Sequence, residues 1–272
     1  MTKHIVAVIG AGKLGELVLS GLLRAGWPPD HLLATTRRPE RAAELAERYG
    51  IRPVRNLTAI TEADVLAVAV KPQDAGRLLD EFGRRVPPGK LVVSLCAGLP
   101  TSFFAERLPG GVPVVRVMTN TPALVDEAMT VISAGPHAVE EHLALTEEIF
   151  QPLGKTMRVP ESQQDAVTAL SGSGPAYFYL LVEAMIDAGI LLGLPRQVAH
   201  ELIVQTAIGS AVMLRDSGEH PVKLREAVTS PAGTTISAIR ELENHGVRAA
   251  FLTALEAARD RAREIAAQSI DS

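Results

Sequence analysis

The first strand-like run of this chain passes straight into Gly10-Ala11-Gly12-Lys13-Leu14-Gly15, and that junction constrains the fold more than any other feature. Gly10 permits a tight turn, Gly12 lets the backbone approach a phosphate, and Gly15 lets a helix pack closely on the strand before it. The helix start then presents unpaired amides to an anion. Strand, turn and helix in that order are the context in which the pattern signals a dinucleotide. Gly10, Gly12, Lys13, Leu14 and Gly15 are therefore expected to hold a pyrophosphate.

The rest of the first half agrees with such a junction. Near-continuously apolar runs at His4–Ile9, His31–Thr36, Asp64–Val70, Leu91–Leu95 and Val114–Met118 read as parallel strands covered on both faces. Segments of helical period, such as Leu14–Ala25 and Arg41–Tyr49, lie between them, as in a doubly wound sheet. Thr130–Ser133 and Thr156–Val159 are expected to be further edge strands around a helix near Glu140–Gln151. Beyond about Glu161 almost every segment has helical period: Tyr177–Leu194, Gln197–Asp216, Ile236–Glu243 and Arg248–Ala267. The expected fold is thus α/β, a Rossmann domain over residues 1–160 followed by an all-α domain over 161–272. Tyr177–Leu194 is apolar nearly all round, so it is expected to be buried from all sides, with a partner subunit helping to shelter it.

Composition narrows the functional classes. The net charge of −4 supplies no basic field for a nucleic-acid backbone. Cys96 is the single cysteine, which excludes an intramolecular disulfide framework and a thiolate metal cluster, and no metal site is expected. The opening MTKHIVAVIG enters a strand at once rather than a signal peptide. The longest apolar stretch is interrupted by Glu183, Asp187, Gly189 and Gly193, which argues against a membrane span. A cytoplasmic protein is expected.

An NAD site carries an acidic residue at the end of the second strand, where it holds the ribose 2′-hydroxyl. Here that position reads Thr35-Thr36-Arg37-Arg38, and hydroxyls with guanidinium groups suit a 2′-phosphate. NADPH is therefore the expected cofactor, with NADH able to substitute. Ala69-Val70-Lys71-Pro72, Cys96-Ala97-Gly98 and Met118-Thr119-Asn120-Thr121-Pro122 end three successive strands at the carboxyl edge, where ligands of such sheets bind. In the second half, Leu170-Ser171-Gly172-Ser173-Gly174-Pro175-Ala176 and Thr229-Ser230-Pro231-Ala232-Gly233-Thr234-Thr235 each read as a hydroxyl-rich helix start suited to a carboxylate. His220 is expected in a turn, and Cys96 as a small packing residue.

Taken in order, AVKP, CAG, MTNTP, LSGSGPAYFY and SPAGTT strongly resemble pyrroline-5-carboxylate reductases, essentially from residue 4 to 268. The resemblance implies reduction of a five-membered cyclic imine carboxylate to proline, the last step of proline biosynthesis, in a homodimer or a larger assembly of dimers. It also implies that Thr36, Arg37, Asn56 and Ala69–Lys71 line the cofactor with Asn120 near its nicotinamide end. Ser230, Gly233 and Thr234 would hold the substrate carboxylate, and Thr235 would bond the ring nitrogen. One departure stands out, because the family has a second glycine where this chain has Ala232. β-Hydroxyacid dehydrogenases share the two-domain plan but use a lysine on the interdomain helix, and no lysine lies between Lys155 and Lys223 here. A six-membered imine remains an alternative substrate. So does a nucleotide-sensing protein without turnover, although Ser230, Thr234 and Thr235 are retained.

Overall fold

The computed structural model describes residues 4–270; the outermost residues of the two expected domains, 1–3 and 271–272, lie outside the described residues. Strands β1 (Val6–Ile9), β2 (Leu32–Thr35), β3 (Arg52–Pro53), β4 (Val65–Val68), β5 (Leu91–Ser94), β6 (Val114–Met118), β7 (Ala128–Ala134) and β8 (Gly154–Arg158) form one sheet in the order β3-β2-β1-β4-β5-β6-β7-β8. Every residue of β1, β2, β4 and β5 is buried, as their near-continuously apolar sequences require. Alternation sends the side chains to two separate cores. Val6, Val8, Val65 and Ala67 join one with Leu17, Leu22 and Phe150, whereas Ala7, Ile9, Leu66 and Val68 join the other with Phe82, Phe103 and Phe104.

Helices α1 (Lys13–Arg24), α2 (Pro39–Tyr49), α3 (Asn56–Glu62), α4 (Pro72–Phe82), α5 (Thr101–Ala105) and α6 (Glu140–Phe150) connect these strands. α2 and α4 open on proline at the first helical position, where its missing N–H costs nothing. α2 closes on Gly50 in the left-handed region. α1 packs so closely that a β-carbon on Gly21 would collide with Leu153.

Two expectations about the sheet need correction. Thr130–Ser133 lies in β7, which is interior rather than an edge strand, and β7 runs antiparallel to β6. The link from Met118 to Ala128 holds only a short 3₁₀ turn at Thr121–Val125, too little chain for the crossover that a parallel neighbour demands. The link through α6 is long enough, and β8 returns parallel to β7. The two-residue β3 has no apolar run to announce it.

After β8 the chain is helical: α7 (Gln164–Val167), α8 (Gly174–Leu191), α9 (Arg196–Asp216), α10 (Pro221–Ala227), α11 (Thr234–Asn244) and α12 (Val247–Ile270). Packing separates two units, one of residues up to Ser173 together with those from Ala257, the other Gly174–Glu256. In the second unit α8 and α9 pair, with Gly189 set so close to Ala199 that a side chain on it would clash. The apolar α8 is not buried in a single copy of the chain. Only Gly174 and Ile186 are covered, while Phe178, Tyr179, Leu180 and Leu191 stand exposed. By length and composition alone the run Glu161–Leu191 resembles a membrane span.

One charged cluster sits within the first unit. Arg116, its side chain 7% exposed on β6, lies 3.6 Å from Glu161 and 3.4 Å from Asp165. Glu161 also accepts hydrogen bonds from the amide (2.7 Å) and hydroxyl (2.6 Å) of Thr101 at the start of α5, and Asp165 lies 3.6 Å from Arg263 of α12. Replacing Arg116 would leave carboxylates facing each other without their buried counter-charge. Arg116→Met is expected to lower unfolding stability by about 2–3 kcal/mol in a denaturant titration, less than a fully enclosed pair because the carboxylates retain some water.

Candidate functional site

The glycine turn has the shape its sequence demands. Gly10 adopts φ +86°, and a β-carbon there would meet the Val70 side chain at 2.4 Å. The amides of Gly10 and Ala11 donate to the Thr35 carbonyl at 3.2 and 2.7 Å, and Gly10 also donates to the Thr35 hydroxyl at 3.2 Å. Thr35 is buried, so its hydroxyl supports the turn rather than a ligand. Gly15 approaches β1 so closely that a β-carbon would lie 2.7 Å from Val8. Gly12 is the N-cap of α1, no side chain caps that end, and nothing lies within 4 Å of where a β-carbon on Gly12 would be. Open space before uncapped amides fits a dinucleotide pyrophosphate. Lys13 and Leu14 open α1, Lys13 exposed and Leu14 packed on the core.

A side-chain network fixes α1 against α2. Glu16 pairs with Arg41, lies 3.0 Å from Arg48, and accepts from the Tyr49 hydroxyl at 2.8 Å. Burial raises the Glu16 pKa, but these hydrogen bonds and charges outweigh it and hold the carboxyl below its ordinary value.

β2, β1, β4, β5 and β6 are consecutive neighbours, so their carboxyl ends share one edge. That edge gathers the glycine turn, Thr36 and Arg37 after β2, Ala69, Val70, Lys71 and Pro72 after β4, Ala97 and Gly98 after β5, and Asn120 after β6. Asn56 opens α3 after β3. Thr36 is half-buried and its hydroxyl accepts the Arg38 amide at 3.4 Å, while Arg37 is exposed. Lys71 is the N-cap of α4 and Pro72 its first residue. Gly98 has φ +80° and lies against the α12 backbone, where a β-carbon would sit 3.2 Å from the Ala262 carbonyl oxygen. Two residues at this edge escaped the sequence reading. Asp74 on α4 pairs with Arg37, a contact between distant segments that no local pattern announces, and Arg77 one turn along the helix bonds the same carboxylate.

Asn120 is already engaged. Its Oδ1 accepts the Met129 amide and its Nδ2 donates to the Ser171 carbonyl, both at 3.1 Å. The expected helix start in Leu170–Ala176 is met by α8, which opens at Gly174 with Pro175 next, but its end is not free. The helix is already running from Gln164 and passes through a π-helical turn at Thr168–Gly172 before α8. The Ser173 amide is bonded to the Thr168 carbonyl at 2.9 Å instead of being free. Wide turns of this kind recur at functional sites. Gly172 permits the approach of Met118, whose Sδ–Cε end would meet a β-carbon there at 2.3 Å.

Ser230, Gly233, Thr234 and Thr235 come together within the second unit. The Gly233 amide donates to the Ser230 carbonyl at 3.1 Å, closing a turn over Pro231 and Ala232. Proline at the second position and positive φ at the third describe a type II turn, whose third position favours glycine. Ala232 occupies it at φ +55°. Gly233, the N-cap of α11, lacks room for a β-carbon, since Ser230 Oγ would lie 2.4 Å away. Thr234 and Thr235 follow as the first helical residues, and no side chain caps them. The turn thus offers a hydroxyl and helix-start amides to an anion. His220 caps α10 by accepting the Val222 amide at 3.3 Å, as suits a turn residue.

Comparison with known proteins finds matches across the whole chain. A family model described as pyrroline-5-carboxylate reductase dimerisation matches residues 161–265, and one described as NADP oxidoreductase, coenzyme F420-dependent, matches 5–98. The chain is 43% identical to the pyrroline-5-carboxylate reductase of Corynebacterium melassecola, covering 96% of this chain and 98% of that one. It is 41% identical to the Methanosarcina acetivorans enzyme, covering 97% and 99%. The structure is similar to that of a pyrroline-5-carboxylate reductase from Coxiella burnetii, with TM-score 0.90, 33% identity and coverage of 97% and 99%. It also resembles the Plasmodium falciparum pyrroline carboxylate reductase with NADP bound, at TM-score 0.89, 27% identity and coverage of 98% and 99%.

Two outcomes follow from this geometry. Ala232→Gly relieves the left-handed strain and is expected to raise stability by about 1 kcal/mol, read by denaturant titration. Burial pushes the Cys96 thiol up to about 12, although bonds to Ser94 and the Val70 carbonyl lower it. Native protein at pH 8 should therefore resist iodoacetamide, and only unfolded protein should be alkylated.

Proposed function

Because the chain belongs to the pyrroline-5-carboxylate reductase family, we propose that it reduces 1-pyrroline-5-carboxylate to L-proline, the final step of proline biosynthesis. The observation that carries this reading is the correspondence over 96% of the chain, which spans both the glycine turn and the Ser230–Thr235 turn. NADPH is the reductant, with NADH able to substitute. Residues 1–160 serve as the cofactor domain and 161–272 as the substrate and dimerisation domain. When bound, the reduced nicotinamide supplies a hydride to the imine carbon.

The chain's own residues hold and orient the two molecules. Gly10, Gly12, Lys13, Leu14 and Gly15 receive the pyrophosphate, and Thr36 and Arg37 the ribose 2′-phosphate. Asn56, Ala69–Pro72, Ala97 and Gly98 line the remainder. Ser230 Oγ and the backbone of Gly233 and Thr234 hold the substrate carboxylate. Thr235 Oγ1 bonds the ring nitrogen and relays its proton. Asn120 acts at the substrate end chiefly by holding Ser171 in place. A protonated imine is already strongly electrophilic, so positioning and exclusion of water do most of the work.

The exposed apolar surface of α8, which includes Phe178, Tyr179, Leu180 and Leu181, meets a second copy of the chain. The match to a dimerisation model over these residues supports a homodimer or a larger assembly of dimers rather than a membrane span. The same reading gives a cytoplasmic location.

The test is NADPH absorbance with purified protein and 1-pyrroline-5-carboxylate, run beside NADH and the six-membered imine. Rapid loss with the five-membered ring is expected. NADPH binding without loss on either imine would instead indicate a sensor. Thr235→Val should lower kcat about 100-fold with NADPH binding unchanged. Ser230→Ala should raise KM for the imine about tenfold, the loss of one bond to a charged group.

A further inference from the structure

The sequence offers no acidic residue at the end of β2, but the fold brings one there from elsewhere. β1 lies between β2 and β4, so the glycine turn at the end of β1 is flanked by the segments that follow those two strands. Arg37 stands two residues past β2, and Asp74 lies in the first turn of α4, after β4. Their side chains meet across that gap. Arg37 Nη2 donates to Asp74 Oδ2 at 3.0 Å, and Nη1 to Oδ1 at 3.5 Å. Arg77, one turn along α4, donates to the same Oδ1 at 3.5 Å. The two guanidinium groups are 76% and 74% exposed while the carboxylate is 25% exposed, so one largely sheltered carboxylate holds two exposed cations.

We propose that Asp74 sets the balance between NADPH and NADH. The inference rests on the cofactor reading above. A 2′-phosphate carries a charge of roughly −1.5 to −2 and seeks the guanidinium of Arg37. Asp74 holds that guanidinium in advance and adds a like charge beside the incoming phosphate. A ribose 2′-hydroxyl meets no such penalty, and the carboxylate offers it an acceptor, the role an acidic residue at the end of β2 plays in NAD-dependent folds. Arg37 and Arg77 thus favour the phosphate, and Asp74 reduces their advantage. Exposed ion pairs of this kind are weak enough to exchange when a ligand arrives.

Asp74→Asn keeps the side-chain shape and removes the charge. Calorimetric titration of the full-length protein with adenosine 2′,5′-bisphosphate and with adenosine 5′-diphosphate isolates the 2′ position from turnover. The variant is expected to bind the bisphosphate about three- to fivefold more tightly than the unaltered protein, the range an exposed ion pair supplies. Binding of adenosine 5′-diphosphate should stay the same or weaken, and the NADPH/NADH ratio of kcat/KM should rise in step. Arg77→Gln provides the opposite arm and should weaken the bisphosphate alone. If the unaltered protein binds the bisphosphate and oxidises NADPH, yet Asp74→Asn leaves the ratio of the two affinities unchanged, the role of Asp74 is wrong. If the unaltered protein binds neither the bisphosphate nor NADPH, the cofactor reading itself fails.

Discussion

The amide of Gly10 turning back onto Thr35 is the contact on which the cofactor end depends. Gly10 and Ala11 both donate to the Thr35 carbonyl, and Gly10 also reaches the Thr35 hydroxyl. The end of β1 is thereby tied to the end of β2, and the start of α1 is aimed across the edge of the sheet. Nothing but glycine fits at the turn, where φ is positive and Val70 closes off the space for a side chain. Arg37 follows Thr35 by two residues, so its guanidinium is delivered by the same contact that shapes the glycine turn. Burial on both faces of the central strands leaves the carboxyl edge as the place where polar groups can gather.

Much of this was legible in the amino-acid order because it rests on local rules. Near-continuously apolar runs marked β1, β2, β4, β5 and β6, and the spacing of glycines marked the junction between β1 and α1. β7 was placed at an edge because direction and neighbour depend on connection length rather than on the strand's own residues. The π turn at Thr168–Gly172 was read as a helix start because serine, glycine and proline suit a cap. It is also met by Asn120 and Met118, some fifty residues away, which no local pattern announces. Asp74 gave no signal in the amino-acid order, since Arg37 lies in the loop after another strand, and Arg77 is drawn in only through Asp74. Among the second-half motifs, the Ser230–Thr235 turn was clearest, because one proline, one tight glycine and one helix start suffice to define it.

The two sites carry strain and satisfaction differently. At the cofactor edge every positive-φ position in the glycine turn and after β5 is glycine, so the backbone is relaxed there. At the Ser230–Thr235 turn Ala232 takes a conformation that glycine would take more readily. Asn120 shows the opposite economy, with both ends of its amide joined to backbone. These bonds join the end of β6 to the π turn and to the start of β7.

The division of the chain into two packing units has a consequence for synthesis on the ribosome. The first unit begins at the N-terminus but includes the residues from Ala257 onward. Gly98, after β5, packs against the backbone of Ala262 and Ala266 in that returning helix. As the chain emerges, β1 to β8 and then the whole of Gly174–Glu256 leave the exit tunnel before the last piece of the first unit emerges. The nascent Gly98 loop must therefore wait uncovered while the second unit is made. The half of the protein that starts first is the last to be complete, and a chain released early would lack a wall of the first unit rather than an appendage.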